Sequence, residues 1–390
     1  MHEHRTKSFV FFLALGLGLW KCVVWDSTFK LRYGWFPNEP SPVCKRRLVL
    51  HVGMHKTGTS FLQKWMHTHN KWLAKHFGVL AMPRAAHCTA MMFNLNLTDP
   101  VDDVPIDSLP EHVKFRCRRF TLNRTFDFLV TALENPSAPV IISTEAFSTL
   151  LPGRWEHFLS YLHNKTRNLP CFAVSPVVFL RSPSSWSQSQ WIQRGKKSSN
   201  PLPRADWLAG SWSEEELRHY MTLLDTFGKS VLHVVSYDML LEANQSLQAF
   251  LICNATLGMD GASWSGCQEM VDSKGIGTKR ANISPSPAAL DIVTLARHMY
   301  NIYTMGKNGS SCKFGLTSLS SEVGAVAANM PQGCNDWHER FAQLEDRLYN
   351  LSGLVRPQSR TQWCGVNETQ LQPHHWKLIE GLLPECVKTL

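Results

Sequence analysis

Short apolar runs alternate with amphipathic segments through about the first two thirds of the chain. Apolar runs of this length, bounded by polar or turn-forming residues, are typical of parallel strands buried on both faces. The candidate strands are Leu48–Val52, Val79–Met82, Val140–Ser143, Val177–Leu180 and Val231–Ser236. The candidate helices are Thr59–His76, Phe120–Leu133, Trp155–Leu162, Ser184–Gln193, Glu214–Phe227 and Leu240–Leu251. Strands that alternate with helices predict an α/β fold with a central, mainly parallel sheet in a three-layer arrangement.

The pattern changes in the last third of the chain. From about Gly258 the strand signal fades, whereas Pro285–Tyr303 and Trp337–Leu348 have helical spacing. Four cysteines follow residue 310. We therefore expect one domain over residues 47–390, with a core of about 47–300 and a helical, disulfide-tied C-terminal extension of about 301–390.

A continuously apolar segment lies near the N-terminus, from Phe9 to Trp20, and continues to Val24 behind a short basic tail. Basic residues before such a segment are a signal for insertion with the tail in the cytoplasm. A cleaved signal peptide is the alternative, but no small-residue cleavage pattern follows the segment. The prediction is a cytoplasmic tail (1–8), a signal-anchor transmembrane helix (9–25) and a polar stem (26–46).

Cysteine and asparagine usage indicates an oxidising, luminal compartment for the body. Ten cysteines follow the anchor, an even number, and no pair has the close spacing of a zinc site. Acceptor motifs for N-glycosylation occur at Asn96, Asn123, Asn164, Asn244, Asn254, Asn282, Asn308, Asn350 and Asn367. Together with the anchor, these features predict a single-pass type II protein of the Golgi membrane. Ten buried free thiols in a cytosolic protein are the alternative.

Composition excludes several classes of protein. With 44% hydrophobic residues, the chain is neither disordered nor collagen-like. The net charge is +9, yet no long block of Lys and Arg occurs. We therefore expect anionic small molecules or polysaccharides as partners, and no nucleic acid.

The most informative stretch is a glycine- and hydroxyl-rich loop between the first candidate strand and the first candidate helix. It reads G-M-H-K-T-G-T-S, and the residues that suit anion binding are Gly53, Lys56, Thr57, Gly58, Thr59 and Ser60. Glycines allow a close backbone approach, while amides and the helix dipole favour an anion at this point. A Walker A loop places Lys after the second Gly, whereas Lys56 precedes Gly58. The order argues against an ordinary ATP or GTP enzyme.

This loop resembles the 5′-phosphosulfate-binding loop of sulfotransferases that use 3′-phosphoadenosine 5′-phosphosulfate (PAPS), in particular membrane-anchored carbohydrate sulfotransferases of the Golgi. The resemblance covers about residues 47–255 and implies a P-loop-like fold. It also implies a second element, a strand ending in Arg with a helical Ser eight residues later. Arg181 and Ser189 have that spacing, and they would hold the 3′-phosphate of PAPS.

The resemblance also suggests the acid–base groups. Lys56 would offset charge on the departing oxygen, so no metal is required. Several luminal carbohydrate sulfotransferases use a Glu as base, and Glu145 follows an apolar strand, where α/β sheets present their sites. Glu145 and Lys56 are therefore the catalytic candidates. His51 and His55 flank the loop and are alternative bases; His51, at the strand end, is expected instead to orient the loop.

Other segments resemble the family only partly. Val235–Leu240 is similar to a sheet-end element, and Gly275–Asn282 is a basic loop that would close over the nucleotide or remain solvated. Tryptophans near the second element are candidates for sugar stacking or for the core: Trp186, Trp191, Trp207 and Trp212.

Taken together, the sequence predicts a sulfotransferase that moves a sulfuryl group from PAPS to a hydroxyl or amino group of a glycan. One alternative is a glycan-binding protein with an inactive nucleotide pocket. The other is a variant P-loop phosphotransferase, which would need magnesium and an acid such as Glu145 or Asp238 to bind it.

Overall fold

A computed structural model describes the structure of most of the body. The described residues are 46–53, 57–82, 131–132, 134, 138–150, 152–166, 172–210, 218, 221, 224, 232–275, 284–305, 313–335, 338–354 and 363–388. The predicted tail, anchor and stem lie outside them, as do most of Phe120–Leu133 and Glu214–Phe227. Within the described ranges, no helix combines the length and apolarity needed to cross a bilayer.

A five-stranded parallel sheet forms the centre of the fold, in the order β2-β3-β1-β4-β5. Its strands are β1 (Arg46–Val52), β2 (Leu80–Ala81), β3 (Val140–Thr144), β4 (Phe172–Leu180) and β5 (His233–Ser236). Consecutive residues of the central strands are buried, including Leu48, Val49 and Leu50 at 0% exposure, so both faces of the sheet are covered. The predicted α/β class with a mainly parallel sheet is confirmed.

Helices of the core lie between these strands or follow the last of them. They are α1 (Thr59–Phe77), α2 (Pro152–Thr166), α3 (Pro183–Gly195), α4 (Arg204–Ala209), α5 (Tyr237–Glu242), α6 (Leu247–Ala249) and α7 (Gly261–Asp272). Glu145–Thr149 is a 3₁₀-helix, and Phe250–Thr256 is a π-helix. Gly78 ends α1 in the left-handed conformation that only glycine adopts freely, and its amide bonds the last carbonyls of the helix. Side chains of α1, α6 and α7 form one apolar cluster with alternate residues of the sheet.

The prediction of one helix over Leu240–Leu251 is wrong. Helix α5 ends at Glu242, and the chain turns through Asn244, which has a positive φ of 51°. A separate helix, α6, then begins after Ser246, whose hydroxyl accepts a hydrogen bond from the amide of Ala249. Helix α7 was not anticipated, and a disulfide between Cys253 and Cys267 joins it to the π-helix.

The C-terminal part is mainly helical and contains a small two-stranded ribbon. Its elements are α8 (Pro287–Thr304), α9 (Ser321–Ala328), β6 (Gln332–Asn335), α10 (His338–Ser352), β7 (Trp363–Val366), α11 (Pro373–Gly381) and α12 (Glu385–Lys388). A disulfide between the directly paired Cys334 and Cys364 crosses the antiparallel ribbon. An apolar cluster joins α8 to α9, β7, α11 and α12. A helical extension tied by a disulfide is therefore present, whereas the ribbon itself was not predicted.

A buried ion pair attaches this extension to the core. Asp291 on α8 lies 3.7 Å from Nη2 of Arg204 on α4, and its Oδ2 accepts the amide of Val366 at 2.9 Å. Arg204 also donates to the carbonyls of Trp363 and Val366. Gly365 lies against Asp291 and Arg204, and no larger residue fits there because a Cβ would overlap the carboxylate of Asp291. Core and extension thus form one packed structure.

Candidate functional site

The two predicted anion-binding elements follow neighbouring strands. The loop of residues 53–60 follows β1, and Arg181 follows β4, its parallel neighbour. The chain leaves β1 towards β2 on one side of the sheet and leaves β4 towards β5 on the other. In open parallel sheets, ligands bind in the crevice at the carboxyl ends of two strands whose connections diverge in this way. The two elements therefore flank one such crevice.

The loop after β1 is tightly constrained where it is described. A Cβ at Gly53 would overlap the Thr59 side chain, lying 2.8 Å from its Cγ2. Gly58 has a φ of 78°, and a Cβ there would lie 2.6 Å from Cδ1 of Leu247. The side chains of Thr57 and Thr59 are buried, whereas Ser60 is exposed in the first turn of α1. The loop thus passes directly into the N-terminus of a 19-residue helix, whose amides and dipole favour an anion.

Two residues predicted in this loop cannot be located. Met54–Lys56 lie outside the described residues, so neither the catalytic candidate Lys56 nor the alternative base His55 has a described position.

The second element joins Arg181 to the two serines that follow it on α3. Nε of Arg181 donates to Oγ of Ser185 at 2.5 Å, and Nη1 donates to Oγ of Ser189 at 2.7 Å. Ser185 and Ser189 are one helical turn apart, so both hydroxyls face the guanidinium. The predicted Arg181–Ser189 pair is therefore brought together, and Ser185 adds a contact that the sequence interpretation missed.

Asp238, at the start of α5, holds Arg181 from another side. Its Oδ1 lies 3.6 Å from Nε of Arg181, and its Oδ2 accepts the amide of Ser182 at 2.7 Å. Burial raises the pKa of Asp238, against the lowering effects of the Ser182 amide and of Arg181. Side-chain exposures of only 20% for Arg181 and 16% for Asp238 mean that water screens this pair weakly. The guanidinium plane is thus fixed by three side chains.

Tyr237 lies between the two elements. The Arg181 guanidinium carbon is 5.3 Å from the centre of its ring, a cation–π distance. On the other side, a Cβ at Gly58 would lie 3.8 Å from Cε2 of the same ring. Burial raises the pKa of Tyr237, so the phenol is neutral near pH 7. One side chain therefore contacts Arg181 and lies beside the loop, which brings the two anion-binding elements to one place.

His51 lies behind the loop, inside the sheet. Its Nδ1 and Oγ of Ser143 on β3 are 2.8 Å apart, and its ring meets the edge of Phe179 at 5.1 Å. Complete burial lowers the pKa of His51 to about 3. A histidine with that pKa takes up no proton near neutral pH, so His51 suits the orienting role and not that of a base.

Glu145 directly follows β3, the other neighbour of β1. In the register of the sheet, Thr144 pairs with Val52, so the backbone of Glu145 lies at the same edge as the loop. Oγ1 of Thr144 accepts the amide of Ala146 and caps the 3₁₀-helix that begins at Glu145. Gln63 on α1 donates to the Ser143 carbonyl at 3.1 Å and connects α1 to this strand end.

The C-terminal extension packs on the helix that carries the second element. Ser184 donates to the buried Glu345 of α10, and its carbonyl accepts the indole N–H of Trp363 at 3.2 Å. Burial, followed by the charges of Asp238, Glu345 and Glu242, raises the pKa of Tyr349 on α10. The extension therefore packs against the N-terminal turn of α3 through hydrogen bonds to Ser184.

Three of the tryptophans proposed for sugar stacking belong to the core. Trp186, Trp191 and Trp207 are at most 2% exposed. The indole of Trp191 donates to the Leu202 carbonyl, and that of Trp207 donates to Oγ of Ser187. They are therefore not available to a glycan, and Trp212 lies outside the described residues.

Two further sequence expectations concern basic loops and metals. Of the loop Gly275–Asn282, all but Gly275 lies outside the described residues. Within the described part of the chain, no three His, Cys, Asp or Glu side chains are grouped to hold a metal ion. Asp238, the acid that the phosphotransferase alternative would use for magnesium, instead faces Arg181 and the Ser182 amide.

No model of a known protein family matches the chain, and no curated protein sequence matches it.

Proposed function

We propose that the chain is a PAPS-dependent sulfotransferase, anchored in the Golgi membrane, that transfers a sulfuryl group to a hydroxyl or amino group of a glycan. The observation that supports this best is the placement of two anion-binding elements at the carboxyl ends of β1 and β4, with Tyr237 against both. A nucleotide with phosphate groups at both ends of its ribose needs two such elements a short distance apart. A P-loop-like fold is part of the proposal, because β1 runs through a glycine-rich loop directly into α1.

In this proposal each element binds one end of the donor. The amides and hydroxyls of Thr57–Ser60, at the N-terminus of α1, bind the 5′-phosphosulfate. Arg181 and Ser189 bind the 3′-phosphate through charge-assisted hydrogen bonds. Because Ser185 and Asp238 already hold the guanidinium, little side-chain entropy is lost on binding.

The transfer step needs a base and a cation near the sulfur. The acceptor oxygen attacks sulfur while the bond from sulfur to the bridging phosphate oxygen breaks, and that oxygen leaves with the electron pair. Lys56 would offset the charge on the leaving oxygen, and the carboxylate of Glu145 would take the acceptor proton. Glu145 directly follows β3, the strand beside β1, so its backbone lies at the edge of the sheet where the proposed base is needed.

Sulfuryl transfer by the full-length chain tests the proposal. The chain is purified in detergent and incubated with radiolabelled PAPS and a panel of desulfated polysaccharides, with and without a metal chelator. We expect label in at least one polymer, unaffected by the chelator. Lys56→Ala should abolish transfer without lowering the melting temperature.

Other outcomes would identify the alternatives. Binding of 3′-phosphoadenosine 5′-phosphate (PAP) without transfer to any polymer would indicate a glycan-binding protein with an inactive pocket. Chelator-sensitive transfer of phosphate from ATP would indicate a phosphotransferase. Retained transfer in the Lys56→Ala variant would refute the role of Lys56.

A further inference from the structure

A row of polar and cationic side chains runs along α1, starting at the loop after β1. Its members are Ser60, Lys64, His67, Lys71 and Lys75, which follow one another at intervals of three or four residues. Residues with this spacing share one face of a helix. All five side chains are exposed or half-buried, and at 1.5 Å per residue the row is about 22 Å long. We call these five residues the α1 basic row.

Helix stability does not explain the α1 basic row. The 19 residues of α1 include no Asp or Glu. Lys71 and Lys75 are four residues apart, and like charges at this spacing destabilise a helix. Lys64, Lys71 and Lys75 form no ion pair with any carboxylate of the described residues. The row is thus a repulsive arrangement that an anionic partner would neutralise.

An aromatic surface adjoins the α1 basic row. Trp72 is half-buried, and its ring lies 5.3 Å from that of His76 and 6.4 Å from that of His69. Nζ of Lys274, beyond the end of α7, lies 5.6 Å from the centre of the Trp72 ring. A flat ring beside a line of cations suits a partner that has both apolar ring faces and regularly spaced negative groups.

We propose that the α1 basic row binds an anionic polysaccharide, one that carries sulfate or carboxylate groups, as the acceptor of the proposed sulfuryl transfer. The inference rests on the proposed function for its acceptor role, because the row begins at Ser60, the last residue of the proposed phosphosulfate loop. A chain lying along the row has one segment beside the donor and several anionic groups beside the lysines. The row therefore selects a polymer with negative charges over a short neutral sugar.

Polysaccharide fits better than the other polyanions, nucleic acid and anionic lipid. The disulfides Cys253–Cys267 and Cys334–Cys364 fit an oxidising compartment, which nucleic acids do not share. A face that enters a lipid surface presents large apolar side chains among its cations. Phe61 of α1 is 37% exposed, whereas more exposed apolar side chains such as Leu241, Ile302 and Met305 lie on α5 and α8 or just beyond.

Binding of a charged polymer and its neutral parent tests the proposal. The probes are fluorescently labelled dextran sulfate, unmodified dextran and phosphatidylserine vesicles, titrated with the full-length chain at one salt concentration. The row variant is Lys64→Gln/Lys71→Gln/Lys75→Gln. The control variant, Lys197→Gln/Lys313→Gln/Lys377→Gln, removes the same charge from exposed lysines on other elements.

We expect the row variant to bind dextran sulfate about 10- to 100-fold more weakly than the natural chain, since each lysine near an anionic surface contributes about a factor of two to five. The control variant should lose less than about threefold, and unmodified dextran should bind weakly to all three chains. Equal losses in the two variants would overturn the proposal, because they would indicate an effect of net charge alone. Vesicle binding that is tighter than dextran sulfate binding and is lost in the row variant would also overturn it, in favour of a membrane surface.

PAP binding, measured in the same samples, separates this proposal from the proposed function. The row variant should retain the PAP affinity of the natural chain, because Lys64, Lys71 and Lys75 lie outside the proposed nucleotide contacts. Absence of PAP binding in the natural chain would refute the proposed function and leave the polysaccharide result standing. Unchanged dextran sulfate binding in the row variant, with PAP binding intact, would refute the row alone.

Discussion

Replacing Arg181 by Lys tests the proposed 3′-phosphate element while keeping its charge. The guanidinium donates through Nε to Ser185 and through Nη1 to Ser189, and it faces Asp238 at 3.6 Å. A lysine has one ammonium, which cannot keep both serine bonds and also bind a phosphate as a planar fork. We expect the loss of about one charge-assisted hydrogen bond, worth about 1.5–3 kcal/mol. This corresponds to about 10- to 150-fold weaker binding of PAP.

Calorimetric titration with two nucleotides isolates this effect. Adenosine 5′-monophosphate lacks the 3′-phosphate, so its affinity should change by less than about threefold in the Arg181→Lys variant. Arg194→Lys is the matched control, because Arg194 lies near the other end of α3, with its guanidinium 5.4 Å from the Trp207 ring centre. It should change neither affinity. Equal weakening of both nucleotides by Arg181→Lys, or no change in PAP affinity, would refute the assignment of Arg181 to the 3′-phosphate.

Four other changes test the site and its support. In urea denaturation, Gly53→Ala should lower the free energy of unfolding by about 1–3 kcal/mol, because the new Cβ overlaps Thr59. Adding Thr59→Ala to this variant should recover part of the lost free energy, and no recovery would contradict the proposed overlap. Glu145→Gln should reduce sulfuryl transfer by about 10²–10⁴-fold with PAP affinity unchanged, and retained transfer would remove Glu145 as the base. Replacing both Cys334 and Cys364 by Ser opens a link across 30 residues and should cost about 3–4 kcal/mol in denaturant unfolding, whereas an unchanged midpoint would show that the link does not constrain the unfolded chain. Burial raises the pKa of Asp291 to about 6 from 3.8, so its stabilising contribution is fully present below about pH 4 and is lost as pH rises through about 6. The difference in unfolding free energy between the natural chain and Asp291→Asn should therefore change by up to about 3 kcal/mol across that range. Parallel pH profiles of the two chains would contradict this pKa shift.

The strands of the sheet were predictable because their burial is encoded locally. All five residues of Val140–Thr144 are buried, and Val140–Ile142 are apolar at consecutive positions, because both faces of β3 are covered; this leaves a run without alternation. Helix α1 was equally clear, since it is bounded by Gly58 and Gly78, both with positive φ. In such segments local pattern and tertiary burial agree, so the pattern alone predicts the element.

The break after α5 and the C-terminal ribbon were not predictable in the same way. Leu240–Leu251 has helical periodicity, but Asn244 adopts a positive φ, which is uncommon for a residue other than glycine. Strands β6 and β7 are four residues each and are joined by a disulfide between cysteines 30 residues apart. Pairing of this kind depends on contacts that are distant in sequence, which periodicity does not detect.

The candidate site shows the same division. The resemblance was sufficient to pair Arg181 with Ser189, because Arg181 directly follows β4 and Ser189 lies on α3, which begins two residues after it. Tyr237 and Asp238 come from the start of α5, directly after β5, a strand that is distant from β4 in sequence and adjacent to it in space. The partial resemblance at Val235–Leu240 included both residues, and both directly follow a candidate strand of a parallel sheet. Their contact with Arg181, however, depends on β4 and β5 being neighbours.

A crystal structure of the full-length chain with PAP tests the central claim most directly. We expect one nucleotide whose 5′-phosphate contacts the amides of Thr57–Ser60 and whose 3′-phosphate lies within about 3.2 Å of Arg181 and Ser189. A nucleotide held by only one of these elements, or one bound at another place on the fold, would contradict the account.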